Sequence, residues 1–90
     1  MRKAELIRKV ASDTGVEAVT VSAVLESTMS NIKDALVKDK ALYLRGFGTF
    51  RNKNRKAKVA RNITANTSII VPEHRIPAFL PCKEFKDAVK

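Results

Sequence analysis

Ala41-Leu42-Tyr43-Leu44-Arg45-Gly46-Phe47-Gly48-Thr49-Phe50-Arg51-Asn52-Lys53-Asn54-Arg55-Lys56-Ala57-Lys58-Val59-Ala60-Arg61 is the stretch on which the reading of this chain turns. Ala41–Arg45 has the composition of a short strand. Gly46-Phe47-Gly48 then breaks the chain while carrying an aromatic side chain, and Thr49-Phe50 opens a second strand. From Arg51 to Arg61 six residues are positive (Arg51, Lys53, Arg55, Lys56, Lys58, Arg61) and none is negative; the next acid is Glu73. Cations this dense repel one another, so the segment makes sense when a polyanion supplies the counter-charge. Nucleic acid is the obvious polyanion.

The basic run reads as the outgoing leg of a β-hairpin. Its return leg is Thr67-Ser68-Ile69-Ile70-Val71, which Pro72 ends or confines to a free edge. Between the legs, Asn62-Ile63-Thr64-Ala65-Asn66 has turn composition, with Asn able to take the left-handed conformation. The outgoing leg has only Ala57, Val59 and Ala60 with which to anchor on a core. Residues 51–74 are therefore expected to form an arm, reaching on the order of 35 Å at ~3.3 Å per residue. Arg51, Lys53 and Arg55 share one face, whereas Lys56 and Lys58 switch parity, which predicts a bulge or strong twist near residue 55.

Outward from the arm, Leu6, Ile7, Val10 and Ala11 form the stripe of an amphipathic helix that Gly15 stops. A second stripe, Val21, Val24, Leu25, Thr28, Met29, Ile32, Ala35 and Leu36, predicts the longest helix, about residues 18–38. The two make a helical hairpin. Beyond the arm, residues 75–81 read as an extended link, and Pro81 can open a last short helix from Cys82 to Val89.

The whole chain carries 18 Lys plus Arg against 9 Asp plus Glu, a net +9 with a pI near 10.1. That lies in the range of nucleic-acid-binding domains. Ninety residues make a single domain, and 44% hydrophobic content argues for a folded core. Without the arm, only 66 residues remain for the body, 1–50 and 75–90, a size at which one core is marginal and oligomerisation is a common remedy. Met29, Ile32, Leu36, Leu44, Phe47, Phe50 and Phe79 are the expected core and dimer interface of an intertwined homodimer, whose two arms would embrace one duplex.

No signal-peptide pattern follows the N-terminal charges, and no stretch approaches a membrane span. The expectation is a cytoplasmic, nucleoid-associated protein with no membrane partner. The single Cys82 excludes an internal disulfide and a cysteine cluster, and the lone His74 has no ligating neighbour, so no metal and no cofactor are expected. No Ser/His/Asp set, paired carboxylates or phosphate-cradling glycine loop can be assembled. Hence no catalytic residue, no small-molecule substrate and no enzymatic activity are expected.

Gly46-Phe47-Gly48-Thr49-Phe50, the basic arm, Arg61-Asn62 at its tip, and Ile76-Pro77-Ala78-Phe79-Leu80-Pro81-Cys82-Lys83 leading into Lys86-Asp87-Ala88-Val89-Lys90 together resemble the bacterial histone-like proteins of the HU and integration host factor family. The resemblance covers the full chain. It implies an α+β fold: a helical-hairpin body, a three-stranded antiparallel sheet extended into a β-ribbon arm, and a short C-terminal helix. It also implies an obligate dimer that binds the minor groove and bends DNA, a mode that comes with the resemblance and not from composition. The family's tip motif is Arg-Asn-Pro, whereas this chain has Arg61-Asn62-Ile63, and Asn66 replaces the family's tip glycine. Isoleucine is among the wedges that minor-groove binders insert, so Ile63 can unstack a base step. Lacking proline's fixed φ, it predicts a less pre-organised tip and a shallower kink.

The expected DNA contacts are therefore Arg51, Lys53, Arg55, Lys56 and Lys58 on phosphates, and Arg61 with Asn62 and Ile63 at the minor groove. Arg75 stands at the root of the arm. Lys3, Lys83 and Lys86 are where the family's body lysines touch the flanks of a bent duplex. The expected activity is non-sequence-specific binding and bending of double-stranded DNA that compacts the nucleoid. One alternative is a site-specific bender of the integration host factor type, often a heterodimer of two related chains. Another is an RNA-binding protein, disfavoured because the arm holds no aromatic platform for stacking bases.

Overall fold

The computed structural model describes residues 1–62 and 67–90, with side chains for 1–59 and 68–90. The elements run α1 (Lys3–Thr14), α2 (Ala18–Val37), β1 (Leu42–Leu44), β2 (Gly48–Arg55), β3 (Lys58–Asn62), β4 (Thr67–Val71), β5 (His74–Pro81) and α3 (Lys83–Val89). The chain divides into two compact units, Met1–Ala35 and Leu36–Lys90.

In the first unit, α1 ends where Gly15 takes φ +74°, a left-handed conformation that costs glycine little. Its N–H bonds to the carbonyl of Ala11 at 2.9 Å. Thr14 Oγ1 donates to the Val10 carbonyl at 2.7 Å and accepts from the Val16 N–H at 3.2 Å, which fixes the turn into α2. The apolar stripes of the two helices line one open groove of about 290 Å³, formed by Leu6, Ile7, Val10, Val21, Val24 and Leu25. Val21 is 8% exposed, but Val24 is 61% exposed, so the groove is only partly covered.

The second unit is built on a three-stranded antiparallel sheet of order β1-β2-β5. All of β2 pairs with β5, from Gly48↔Pro81 to Arg55↔His74, and β1 pairs with the start of β2, Leu42↔Phe50 to Leu44↔Gly48. Strand alternation puts Leu42, Leu44, Phe50 and Phe79 on one face. β3 and β4 form a separate two-stranded ribbon, Lys58↔Val71 to Asn62↔Thr67. This is the expected α+β arrangement of helical hairpin, three-stranded sheet, ribbon and terminal helix.

The strand pairing differs from expectation in three places. Residues 75–81 are not a link but most of the edge strand β5. Pro77 and Pro81 are tolerated there because an edge strand leaves one side without ladder bonds. Pro81 closes that strand instead of opening the helix, and Cys82 becomes the N-cap of α3. Arg51–Arg55 face residues 74–78, and only 58–62 face the return leg 67–71. The irregularity near residue 55 is not a one-residue bulge: Lys56-Ala57 and Pro72-Glu73 are both out of the ladder. Pro72 has no N–H to give, and with two residues skipped on each leg the pairing resumes in register.

All four phenylalanines of the chain form one cluster. Ring centroids are 4.8 Å apart for Phe47–Phe79 and Phe50–Phe79, 5.5 Å for Phe47–Phe85 and 6.2 Å for Phe79–Phe85. Such pairs contribute about 0.5–1.5 kcal/mol each beyond their burial. The Cys82 N–H donates to the Phe47 carbonyl at 2.9 Å, so α3 is held by a backbone bond as well as by Phe85. At the other end of β2, Asn52 Nδ2 donates to the Leu36 carbonyl at 2.8 Å and to Asp39 Oδ1 at 3.1 Å. The Leu36 carbonyl, in the last turn of α2, also accepts from the Asp39 N–H at 3.0 Å, so the Asn52 amide is its second donor. Of the expected core, Leu36 is buried and Met29, Ile32, Phe50 and Phe79 are half-buried, while Leu44 and Phe47 remain exposed.

At Gly48 the sheet leaves no room for a side chain. A Cβ there would lie 2.5 Å from the Leu80 carbonyl oxygen and 2.7 Å from the Phe79 ring. The ring thus occupies the space that any other residue's side chain would need. Gly48→Ala is expected to destabilise the fold by about 1–3 kcal/mol, the usual cost of overpacking, measured by thermal or urea unfolding. An unchanged melting curve would mean that the approach of Phe79 to β2 does not matter for stability.

Candidate nucleic-acid interface

The cations of β2 are placed by strand parity. Phe50 and Asn52 are half-buried, and the alternate residues Arg51, Lys53 and Arg55 are exposed on the other face. Their partners across the ladder are Ala78, Ile76 and His74. Same-face residues on a strand are about 6.6–6.8 Å apart, where neighbouring charges repel by roughly 0.6 kcal/mol even in water. Lys56 continues the series in the break and Lys58 opens β3; both are exposed. On the ribbon, Val59 and Ile70 face each other and are 69% and 75% exposed. The backbones of Arg61 and Asn62 pair with Ser68 and Thr67; Ile63 lies outside the described residues.

Ion pairing sorts the candidates. Among the described residues, the salt bridges are Lys3–Glu26, Lys9–Asp13 at 3.4 Å, Arg75–Asp39 at 3.1 Å and Lys90–Asp87 at 3.7 Å. None engages Arg51, Lys53, Arg55, Lys56 or Lys58. Lys3 and Arg75 thus have carboxylates beside them and the β2 row does not. Asp39 stands past the end of α2 at φ +57° and holds both Asn52 and Arg75. Lys83 and Lys86 are on α3, which packs through Phe85 on the phenylalanine side of the sheet and so lies away from the β2 row. A row of exposed cations without carboxylate partners binds polyanions; it provides no nucleophile or acid–base pair.

Residues 1–90 match the family described as "Bacterial DNA-binding protein". The chain belongs to that family. Among its relatives is the SPbeta prophage-derived DNA-binding protein HU 2 of Bacillus subtilis, 39% identical over 90 residues that cover 100% of this chain and 98% of the relative. The DNA-binding protein HU of Geobacillus stearothermophilus is 36% identical over 100% of both chains. An Anabaena HU–DNA cocrystal structure superposes with a TM-score of 0.93 at 35% identity, covering 99% of this chain and 97% of that one. HU of Thermotoga maritima gives a TM-score of 0.71 at 28% identity over 100% of both chains.

This bacterial DNA-binding protein also uses residues that sequence reasoning passed over. Phe85 completes the aromatic cluster, and its place in a short apolar-polar helix was the available signal. Asn52 carries no such signal, because an uncharged residue amid a basic run looks like filler until α2 arrives beside it. His74 reads in the sequence only as a lone histidine without ligating neighbours, yet it stands directly across from Arg55.

The Lys3–Glu26 pair makes a pH prediction. The hydrogen bond and the charge of Lys3 hold the Glu26 carboxyl below its usual value. A carboxyl lowered in the folded state adds stability above its unfolded value, and that contribution disappears as pH falls through the folded one. The stability difference between wild type and Glu26→Gln is therefore expected at neutral pH and should close on acidification below about pH 4, read by urea unfolding across pH. A difference that persists at low pH would assign the effect to packing instead of the ion pair.

Proposed function

We propose that this protein is a homodimer that binds double-stranded DNA without sequence specificity, bends it by engaging the minor groove with two basic arms, and so compacts and organises the bacterial nucleoid. The observation that carries this reading is the exposed row Arg51, Lys53 and Arg55, continued by Lys56 and Lys58, with no carboxylate partner among the described residues. Phosphate contacts of this kind release counterions and are indifferent to sequence. The HU names of the relatives favour the non-specific reading over a site-specific bender. Arg61, Asn62 and Ile63 are assigned to the minor groove, Ile63 as the wedge in place of the family's proline. Arg75, Lys3, Lys83 and Lys86 are assigned to the flanks of the bent duplex, where Lys3 and Arg75 would exchange a carboxylate for a phosphate.

Burial supports the dimer. Among the described residues, Val21 and Leu36 are the buried hydrophobic side chains, and none is fully buried. Phe47, in the aromatic cluster, is 45% exposed. A second copy would cover Phe47, Leu44 and the α1–α2 groove, the material of an obligate interface. A DNA-binding role supports a location with the nucleoid in the cytoplasm; no described helix is long and apolar enough to cross a membrane.

Ligase-driven circularisation of a duplex of about 150 base pairs, one persistence length, tests bending: circles should increase with the protein at low salt. Binding without enhanced closure would leave a DNA-coating protein that does not bend. Affinity should fall ~10³–10⁵-fold between 50 and 200 mM salt if roughly 6–10 phosphates are neutralised per dimer; a flat salt response would sink the electrostatic mechanism. Ile63→Ala is expected to retain most of the affinity while reducing ring closure, and Arg61→Ala to weaken binding on all sequences alike.

A further inference from the structure

At the root of the arm, where the ladder is interrupted, Arg55, Lys56, Ala57, Lys58, His74 and Ile76 line one open cavity. Three of those six carry permanent positive charge and the fourth polar group is the chain's single histidine. No carboxylate lines it. His74 is directly opposite Arg55 in the β2–β5 ladder, and its Nδ1 lies 2.9 Å from the Pro72 carbonyl oxygen. A carbonyl oxygen only accepts, so Nδ1 carries the proton of the neutral ring and Nε2 is left with its lone pair. In that state Nε2 can only accept, and it offers nothing to an anionic oxygen. Once protonated, the same atom becomes a charged donor.

We infer that His74 completes a phosphate seat with Arg55, Lys56 and Lys58, and that this seat makes the arm's grip on a DNA backbone phosphate tighten when His74 is protonated. The inference rests on the arm binding DNA, as proposed above. The groups around His74 favour this assignment. Arg55 faces it across the ladder, Lys56 and Lys58 share its cavity, and Ala57 and Ile76 supply the apolar lining. Its chain neighbours are Glu73, which is exposed and not part of the lining, and Arg75, which is held by Asp39. A phosphate in the seat places a negative charge beside Nε2, so phosphate binding and protonation of His74 favour one another. The sign follows: the gain in affinity is complete below the free protein's titration and is lost as pH rises through that of the complex.

The experiment is duplex binding by the full chain at pH 5.5 and 7.5, a window that brackets ordinary imidazole titration, over a series of salt concentrations. Wild type should bind more tightly at pH 5.5 by about two- to five-fold per arm, the range of an exposed ion pair. Its log–log salt slope should steepen, by at most about 0.9 per arm, because the added cation joins a phosphate that the seat already holds. His74→Gln should flatten both responses, and His74→Arg should show at pH 7.5 the salt slope that wild type reaches at pH 5.5. Because there is one histidine, its ring resonance can be followed directly, and duplex should shift its titration upward. Equal pH responses in wild type and His74→Gln would overturn the seat while leaving DNA binding intact. Failure to bind duplex at either pH at low salt would instead overturn the underlying reading. Inorganic phosphate without DNA is the remaining probe: a histidine resonance that moves with phosphate but not with duplex would make this a free-anion site and refute the assignment to DNA.

Discussion

The antiparallel register between β2 and β5 is the constraint on which the other features depend. Because side chains alternate along a strand, one pairing sends Phe50 and Phe79 to one face and Arg51, Lys53 and Arg55 to the other. A slip of one residue would exchange the faces and drive guanidinium and ammonium groups among the aromatic rings, where an unpaired charge is far costlier than any packing gain. Gly48 anchors this register at one end, since only a residue without Cβ leaves room for the Phe79 ring and the Leu80 carbonyl. Core formation and presentation of the basic row are therefore one event.

The body around that sheet is small, and its parts are fastened by few but specific contacts. The four phenylalanines draw the β1–β2 turn, β2, β5 and α3 together. Within the second unit, Asn52 bonds Leu36 and Asp39, and Asp39 pairs with Arg75 of β5. Hydrophobic surface nevertheless remains open in both units, at Val24 in one and Phe47 in the other. An exposed phenylalanine within an aromatic cluster leaves that cluster open on one side, and this is the surface that the proposed second copy would cover.

Charge is distributed by the same economy. Acids stand beside Lys3, Lys9, Arg75 and Lys90, all outside β2 and β3, and among the described residues none stands beside Arg51, Lys53, Arg55, Lys56 or Lys58. Leaving cations unpaired costs a free protein some self-repulsion and preserves their full attraction for a polyanion. The two-residue interruption beyond Arg55 adds a local feature to this row, because it opens a cavity that a continuous ladder would have filled with backbone.

Much of the protein was legible in its sequence because the governing signals are local. The helical stripes, the Gly15 stop, the return leg Thr67–Val71 and the unbroken run of cations each follow from periodicity, backbone freedom or charge within a few residues. Parity alone put Arg51, Lys53 and Arg55 on a common face. What only the tertiary structure decided is pairing over long sequence distances. Residues 75–81 look like a proline-rich link until β2 lies beside them, and nothing local says that Arg51–Arg55 pair with 74–78 instead of with 67–71. The roles of Asn52, Asp39, Phe85 and His74 likewise depend on partners distant in sequence, Leu36, Arg75, Phe47 and Arg55. Composition and period are properties of a segment, whereas a hydrogen bond or a stacked ring needs two segments, and their meeting is set by the free energy of the whole fold.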